Sequence, residues 1–330
     1  MLGSFLGHVR GDRAVEASQT ATPRRPSIGL ALGGGAARGF AHIGVIRTLV
    51  ANGIKPDVIT GTSIGAVVGG CYAAGQLDAL EQWARSLTRR NIIQYLDVSF
   101  SGSSLISGQR LLRHLEAGLG DIRIEKLPVR FAAVATELET GHEVWLTRGR
   151  LVDALRASYA LPGIFSPVRI ADRWLVDGAL VNPVPISAGR SLDARLMIAV
   201  NLNADLIGRG GTLAAYGEDE PADNVSDIEP EPEPAGWRGI VNVERFIKRK
   251  FFSRDGSPGI PAVMIDAYNV MQDRITRARL AGDPPDIMIQ PRLGPIAMFE
   301  FNRAEEAIAQ GAEATERAME AITQAMEALG

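Results

Sequence analysis

Residues 61–65 read Gly-Thr-Ser-Ile-Gly, after the β-branched run Val58, Ile59, Thr60 and before a small-residue helical run from Ala66 to Ala74. A serine in that setting sits on a tight strand-to-helix turn. Gly61 and Gly65 let the two backbones pass closely, the Ser63 hydroxyl projects from the turn, and the following helix aims its N-terminal amides at it. That geometry makes nucleophiles, although ordinary strand-helix turns use the same residue types. A second element is therefore informative. Gly33-Gly34-Gly35-Ala36-Ala37-Arg38-Gly39 also follows a strand, Ile28 to Leu32, and opens a helix, Phe40 to Val50, with apolar residues at helical spacing. Strand-helix-strand connectivity makes the two strands parallel and brings both turns to one edge of the sheet. Three glycines in a row can present backbone N–H groups, and Arg38 adds positive charge where an oxyanion would form during acyl transfer.

Nucleotide chemistry fits this loop poorly. A dinucleotide fingerprint starting at Gly33 would place Arg38 last, one starting at Gly34 would place Ala36 in the middle, and no Lys-Ser/Thr pair follows Gly39. A serine nucleophile also needs a base. The four histidines stand at 8, 42, 114 and 142, and the α/β-hydrolase order of nucleophile, acid, histidine finds no convincing acid between Ser63 and His142. His142 reads as a turn residue between the strands Phe131–Ala135 and Val144–Leu146. His42 lies in the helix after the glycine loop and reads as a core or capping residue. Asp177 is the better candidate: it ends the strand Trp174-Leu175-Val176 and begins Asp-Gly-Ala-Leu-Val-Asn-Pro-Val-Pro, with Gly178 removing bulk beside the carboxylate. A plain Asp-Gly turn has the same appearance. An ordinary Asp, with a pKa of about 3.9, is a poor base, so a Ser-Asp dyad requires burial that favours the protonated carboxyl. Ester cleavage suits such a dyad better than amide cleavage, because an alkoxide needs less help to leave than an amine.

With these residues assembled, the chain resembles the patatin-like phospholipases, in the bacterial branch similar to neuropathy target esterase. Ile28 to Gly39 resembles that family's glycine-rich oxyanion block, Gly61 to Gly65 its nucleophile elbow, and Asp177-Gly178-Ala179 its Asp-Gly-Gly/Ala block; Ser158 to Pro167 resembles the loop before the catalytic Asp strand. The match covers about residues 26–203, with a weaker tail at about 260–325. The resemblance implies a three-layer α/β/α fold with a parallel-rich central sheet and a lipid acyl hydrolase using Ser63 and Asp177 as a metal-free, cofactor-free dyad. It implies an oxyanion hole built from Gly33, Gly34 and Gly35 with Arg38 in support, Gly61, Gly65 and Gly178 shaping the turns, and phospholipid or lysophospholipid as substrate. A regulatory or scaffold protein with the same fold and little turnover is the alternative, as is acyl transfer to an alcohol other than water.

The bulk properties agree with an enzyme of this kind. The 330 residues are 46% hydrophobic, enough for a large core, and a net charge of -3 argues against a nucleic-acid partner. Cys71 is the single cysteine, which fits a reducing, cytoplasmic location, and no Cys/His cluster suggests a metal. The 20 uncharged residues between Asp57 and Asp78 are long enough for a membrane span, yet their β-branched start and five glycines read better as strand, elbow and core helix. Residues 1–26 read as a flexible tail and 27–330 as one acyl hydrolase domain with an insertion at about 204–260. Within that insertion Glu218 to Glu233 carries eight acids and no base, whereas Arg238 to Arg254 has six basic residues against Glu244 alone and an interleaved apolar face. The stretch 237–252 therefore reads as a lid, a peripheral membrane foot, or a docked helix. Further on, Pro261 to Ala281 has helical spacing, Asp286 to Gln290 reads as a short strand, and Asn302 to Leu329 as a helix capped by Asn302 with Glu305.

Overall fold

The computed structural model describes residues 25–88, 109–205 and 260–329. The stretch 237–252, with most of the acidic and basic insertion and the tail before residue 25, lies outside the described residues. The β-rich segments expected from sequence form one sheet. Its strands are β1 (Ile28–Leu32), β2 (Val58–Thr62), β3 (Arg130–Glu137), β4 (Glu143–Leu146), β5 (Val168–Ile170), β6 (Arg173–Asp177), β7 (Leu196–Val200) and β8 (Ile287–Ile289), in the order β5-β6-β3-β2-β1-β7-β8 with β4 also on β3. The run β3-β2-β1-β7-β8 is parallel throughout, and β4, β5 and β6 add antiparallel pairings at one end.

Central strands are buried on both faces, and the alternation of their side chains builds two cores. Ile28, Leu30 and Leu32 of β1 and Leu196, Ile198 and Val200 of β7 face the larger core. Ala31, Met197 and Ala199 face a smaller one with Val184 and Ile186. Helices α1 (Ala41–Ala51), α2 (Ile64–Ala73), α3 (Leu77–Ser86), α4 (Gln109–Leu119) and α5 (Leu151–Ser158) supply the larger core together with the terminal α8 (Ala304–Leu329); α6 (Ile186–Ser191) and α7 (Ile260–Gly282) complete the other side. This is the three-layer arrangement that alternating strands and helices favour. Helix α8 lies unusually close to α1: a methyl group at Gly44 would fall on the Ile308 carbonyl oxygen, and one at Gly311 on that of Ala41. The glycines let the two helices touch backbone to backbone.

The uncharged stretch after Asp57 resolves into β2, the turn and α2, and no helix among the described residues is long and apolar enough to cross a membrane. Three local expectations differ from the structure. The helix after the glycine loop begins one residue later than its spacing suggests, because Ala36–Phe40 forms a 3-10 turn entered through Ala36 at φ 48°. Asn302 is no helix cap: it lies inside another 3-10 turn, Phe301–Arg303, and the first turn of α8 carries Glu305 and Glu306, with Arg303 paired to Glu306. Helix α7 turns several of its apolar residues outward, although Ile265 and Leu280 pack inward. Val263, Met264, Val270 and Met271 are about half exposed while Tyr268, Gln272, Asp273 and Thr276 are buried, because the inward side meets a polar network around the glycine loop.

Candidate active site

Pairing along β3 explains how residues 63 and 177 meet. Ala133 and Val134 pair with both β2 and β4, which therefore flank opposite edges of β3; Ala135 and Thr136 pair with both β4 and β6. Strands β2 and β6 thus share one edge and run toward each other. Thr62 stands opposite Val134 and Asp177 opposite Ala135, the next residue. Their C-terminal ends converge on one point, and Ser63 follows directly. The sequence pattern joins the elbow to the glycine loop through β1 and β2, but only the reversed direction of β6 delivers the carboxylate.

The Ser63 hydroxyl donates to Asp177 Oδ2 at 2.7 Å. Ser63 itself has φ 56° and ψ -125°, a left-handed backbone that a non-glycine residue adopts only where its surroundings hold it. Three contacts do so. Its N–H donates to Ser158 Oγ at 2.9 Å, the Ser158 hydroxyl donates to the Val134 carbonyl at 2.6 Å, and the Ser63 carbonyl accepts the amides of Ala66 and Val67 in the first turn of α2. Spacing alone gives Ser158 no role, since a serine ending a helix has many uses; its neighbours across the fold give it this one. Replacing Ser158 by Ala leaves the partly buried Ser63 amide without its acceptor, and the expected cost is about 1 kcal/mol, read as a lower urea midpoint at unchanged m-value.

Asp177 is 1% exposed. Its Oδ1 accepts the Ala179 amide at 2.8 Å, its N–H donates to the Ala160 carbonyl, and its own carbonyl accepts the Thr136 hydroxyl at 2.9 Å. Burial pushes the carboxyl up from its ordinary range to about 7, against the opposing pull of the hydrogen bonds from Ser63 and Ala179. Gly178 is required by close approach, because a methyl there would fall on the Val134 carbonyl.

The structure divides the glycine-loop residues. The Gly33 amide donates to Val200 O at 3.1 Å and the Gly34 amide to Pro183 O at 2.9 Å, so both are engaged in holding the loop to its neighbours. Gly35 and Ala36 line the cleft beside Ser63, Asp177 and Ile64, and their amides donate to no acceptor among the described residues. Arg38 points away from the cleft. It is 4% exposed, with Nε donating to Ile296 O at 2.8 Å and Nη1 to Asn203 Oδ1 at 3.0 Å. Burial lowers its pKa to about 10, with Asp205 acting in the other direction, so the guanidinium is charged at neutral pH and braces the loop from behind. His42 is fully buried and bonds Gly33 O through Nε2 at 2.8 Å, and burial brings it down to about 4; His142 is exposed in the β3–β4 turn. Neither lies at the dyad. Among the described residues no group of His, Cys, Asp or Glu could hold a metal.

The dyad opens into a cleft of about 810 Å³, open solvent included, with walls that include Val67, Leu115, Leu161, Phe165 and Phe301. Apolar walls around one polar pair suit a substrate with a hydrocarbon chain and one reacting ester.

Residues 30–189 match the family described as patatin-like phospholipase. An uncharacterized NTE family protein of Mycobacterium tuberculosis is 34% identical over 332 residues, covering 90% of this chain and 92% of its own length. The neuropathy target esterase sws of Drosophila melanogaster is 30% identical over 201 residues, 58% of this chain and 14% of that protein. A lysophospholipase of Yarrowia lipolytica is 32% identical over 183 residues, 54% of this chain and 13% of its own. Since the mycobacterial likeness extends over nine-tenths of both chains rather than over the motifs alone, this chain belongs to the NTE family of patatin-like phospholipases.

Proposed function

We propose that the protein is a serine lipid acyl hydrolase of the phospholipase A or lysophospholipase type. The single observation that carries this reading is the 2.7 Å hydrogen bond from Ser63 to a buried Asp177 at the polar end of an apolar cleft. Ser63 Oγ attacks the ester carbonyl while Asp177 Oδ2 takes its proton, and the tetrahedral oxyanion is received by backbone amides. The amides of Gly35 and Ile64 are best suited: Gly35 is the glycine whose N–H is not already engaged, and Ile64 follows the nucleophile, where elbow hydrolases find their second donor. Gly33, Gly34 and Arg38 support that loop. As the carbonyl re-forms, the protonated Asp177 returns its proton to the leaving alkoxide, and a fatty-acyl ester remains on Ser63. Water then attacks that ester, giving up a proton to Asp177, and Ser63 recovers one as the fatty acid departs.

The names of the fly and yeast relatives support an ester or lysophospholipid substrate. Peripheral contact with a lipid surface through 237–252 belongs to this proposal and rests on the basic amphipathic pattern of that stretch. The test is fatty-acid release from 1-acyl lysophosphatidylcholine by wild type and Ser63→Ala. Release that disappears with the serine is expected; equal release by both proteins, or none by wild type on any lysophospholipid or phospholipid, contradicts the proposal.

A further inference from the structure

Apart from Ser63 and Asp177, the side chains lining the cleft are mostly apolar or aromatic, and the polar atoms among them belong to Trp83, Tyr159, Tyr268 and Gln272; Tyr159 packs edge-on against Phe165, and Tyr268 and Gln272 form a pair of their own. These residues are four apart on α7 and share its inward face. Tyr268 belongs to one buried cluster with Met298 and Ala179, two residues beyond Asp177, and Ala36, which follows Gly35, packs against that cluster. Its ring therefore lies in the cluster that joins the carboxylate side of the dyad to the glycine loop. The hydroxyl is close enough to Asp177 to feel its charge, which, behind burial itself, helps hold the phenol protonated. The Gln272 side chain beside it acts in the other direction. Gln272 Oε1 accepts from Asn203 Nδ2 at 3.0 Å, and the same nitrogen donates to Gly34 O at 3.3 Å. Asn203 Oδ1 in turn accepts from Arg38. The phenol thus stands against an amide that a buried chain of bonds ties to the loop beside Ser63, a setting that a merely space-filling tyrosine would not need.

We propose that Tyr268 recognises the leaving group: its hydroxyl donates a hydrogen bond to the alcohol oxygen of the scissile ester while Asp177 protonates that oxygen. The inference rests on the Ser63–Asp177 reading. Since Asp177 must hand its proton to the departing oxygen, that oxygen lies beside the carboxylate, which is the side Tyr268 occupies. In this step the acyl C–O bond breaks, its electron pair stays on the alcohol oxygen, and the proton on that oxygen comes from Asp177. Tyr268 keeps its own proton and shares it as a hydrogen bond, and its help grows with the charge the oxygen carries.

Such help matters for an alkyl alcohol, which is a poor leaving group, and much less for 4-nitrophenol, which departs readily. The experiment compares kcat/KM, which reports acylation, for two esters of one fatty acid, a glycerol ester and a 4-nitrophenyl ester, in wild type and Tyr268→Phe. The expected result is a loss on the glycerol ester about tenfold greater than on the aryl ester. Equal losses on the two, or none on either, overturn the proposal, because a packing role does not distinguish leaving groups. Labelling of Ser63 by a fluorophosphonate, run alongside, keeps the two readings apart: wild type that does not label removes the dyad, whereas proteins that label and show an unaltered ester ratio remove only the role of Tyr268. Should Tyr268→Phe fail to fold, the same ratio is read on Gln272→Met, which removes the amide beside the phenol and its tie to Asn203. A selective loss on the glycerol ester supports the proposal there, and an equal loss on both overturns it.

Discussion

Asp177→Asn is expected to lower kcat/KM for ester hydrolysis about 1,000-fold, within the range that positioned general bases contribute, while making the protein more resistant to unfolding above neutral pH. The two effects have one cause. Burial holds the Asp177 carboxyl at about 7 in the folded protein, against an ordinary value near ~3.9 in the unfolded chain. The native state therefore binds a proton more readily than the unfolded one. For a group whose folded pKa is raised, the stability it contributes is complete below the unfolded value and declines as pH rises toward the folded one. Across about pH 4 to 7 wild type accordingly loses stability on the order of 4 kcal/mol, a cost that Asn, having no charge to bury, does not incur. Urea unfolding of both proteins at a series of pH values should show their difference widening up to about pH 7 and levelling beyond it. A difference that does not depend on pH would mean that the carboxyl is not held near 7. The activity arm follows the same ionisation: the base is the carboxylate, so kcat/KM of wild type should rise with pH and level off above about 7.

The second large effect is expected at Gly65. A methyl group there would fall between the carbonyl oxygens of Leu32 and Gly33, which are backbone atoms and cannot rotate aside. Gly61 backs onto Ala66 in the same way, so the start of α2 is wedged between the ends of β1 and β2. Gly65→Ala can be accommodated only by moving the helix, and with it Ser63. Overpacking of this kind sits at the upper end of the usual range, about 3 kcal/mol. A shift of the nucleophile by about 1 Å costs on the order of 100-fold in rate. Both are measurable on one preparation, by urea unfolding and by ester turnover. Wild-type turnover with wild-type stability would show that the elbow has room its carbonyls do not leave.

Much of this site was legible in the sequence because glycine marks close approach wherever it occurs at a strand end. The runs at 33–39 and 61–65 each announce a turn, and the parallel connection between β1 and β2 puts the turns together. The polar ends were harder to read. Nothing in the spacing of Asp177 shows that β6 reverses direction and meets β2 head to head on β3. Arg38 carries the charge expected of an oxyanion helper, yet the carbonyl of Ile296 and the side chain of Asn203, which hold it away from the cleft, come from loops more than 160 residues away. Helix α7 was obscured by composition: Val263, Met264, Val270 and Met271 outweigh Tyr268 and Gln272 in any apolar pattern, although the second pair faces the site and the first faces out. Ser158 shows in the sequence only as the first residue of the block before the Asp177 strand, since its two hydrogen bonds join backbone groups far along the chain, the amide of Ser63 just after β2 and the carbonyl of Val134 on β3.

Fluorophosphonate labelling followed by peptide mass analysis across pH tests the pairing of Ser63 with Asp177 most directly. One adduct on Ser63 is predicted in wild type, forming faster as pH rises toward about 7, with labelling abolished in Ser63→Ala and slow, without that rise, in Asp177→Asn. An adduct on another residue, or an Asp177→Asn protein that labels at the wild-type rate, would contradict the pairing of Ser63 with Asp177 as nucleophile and base.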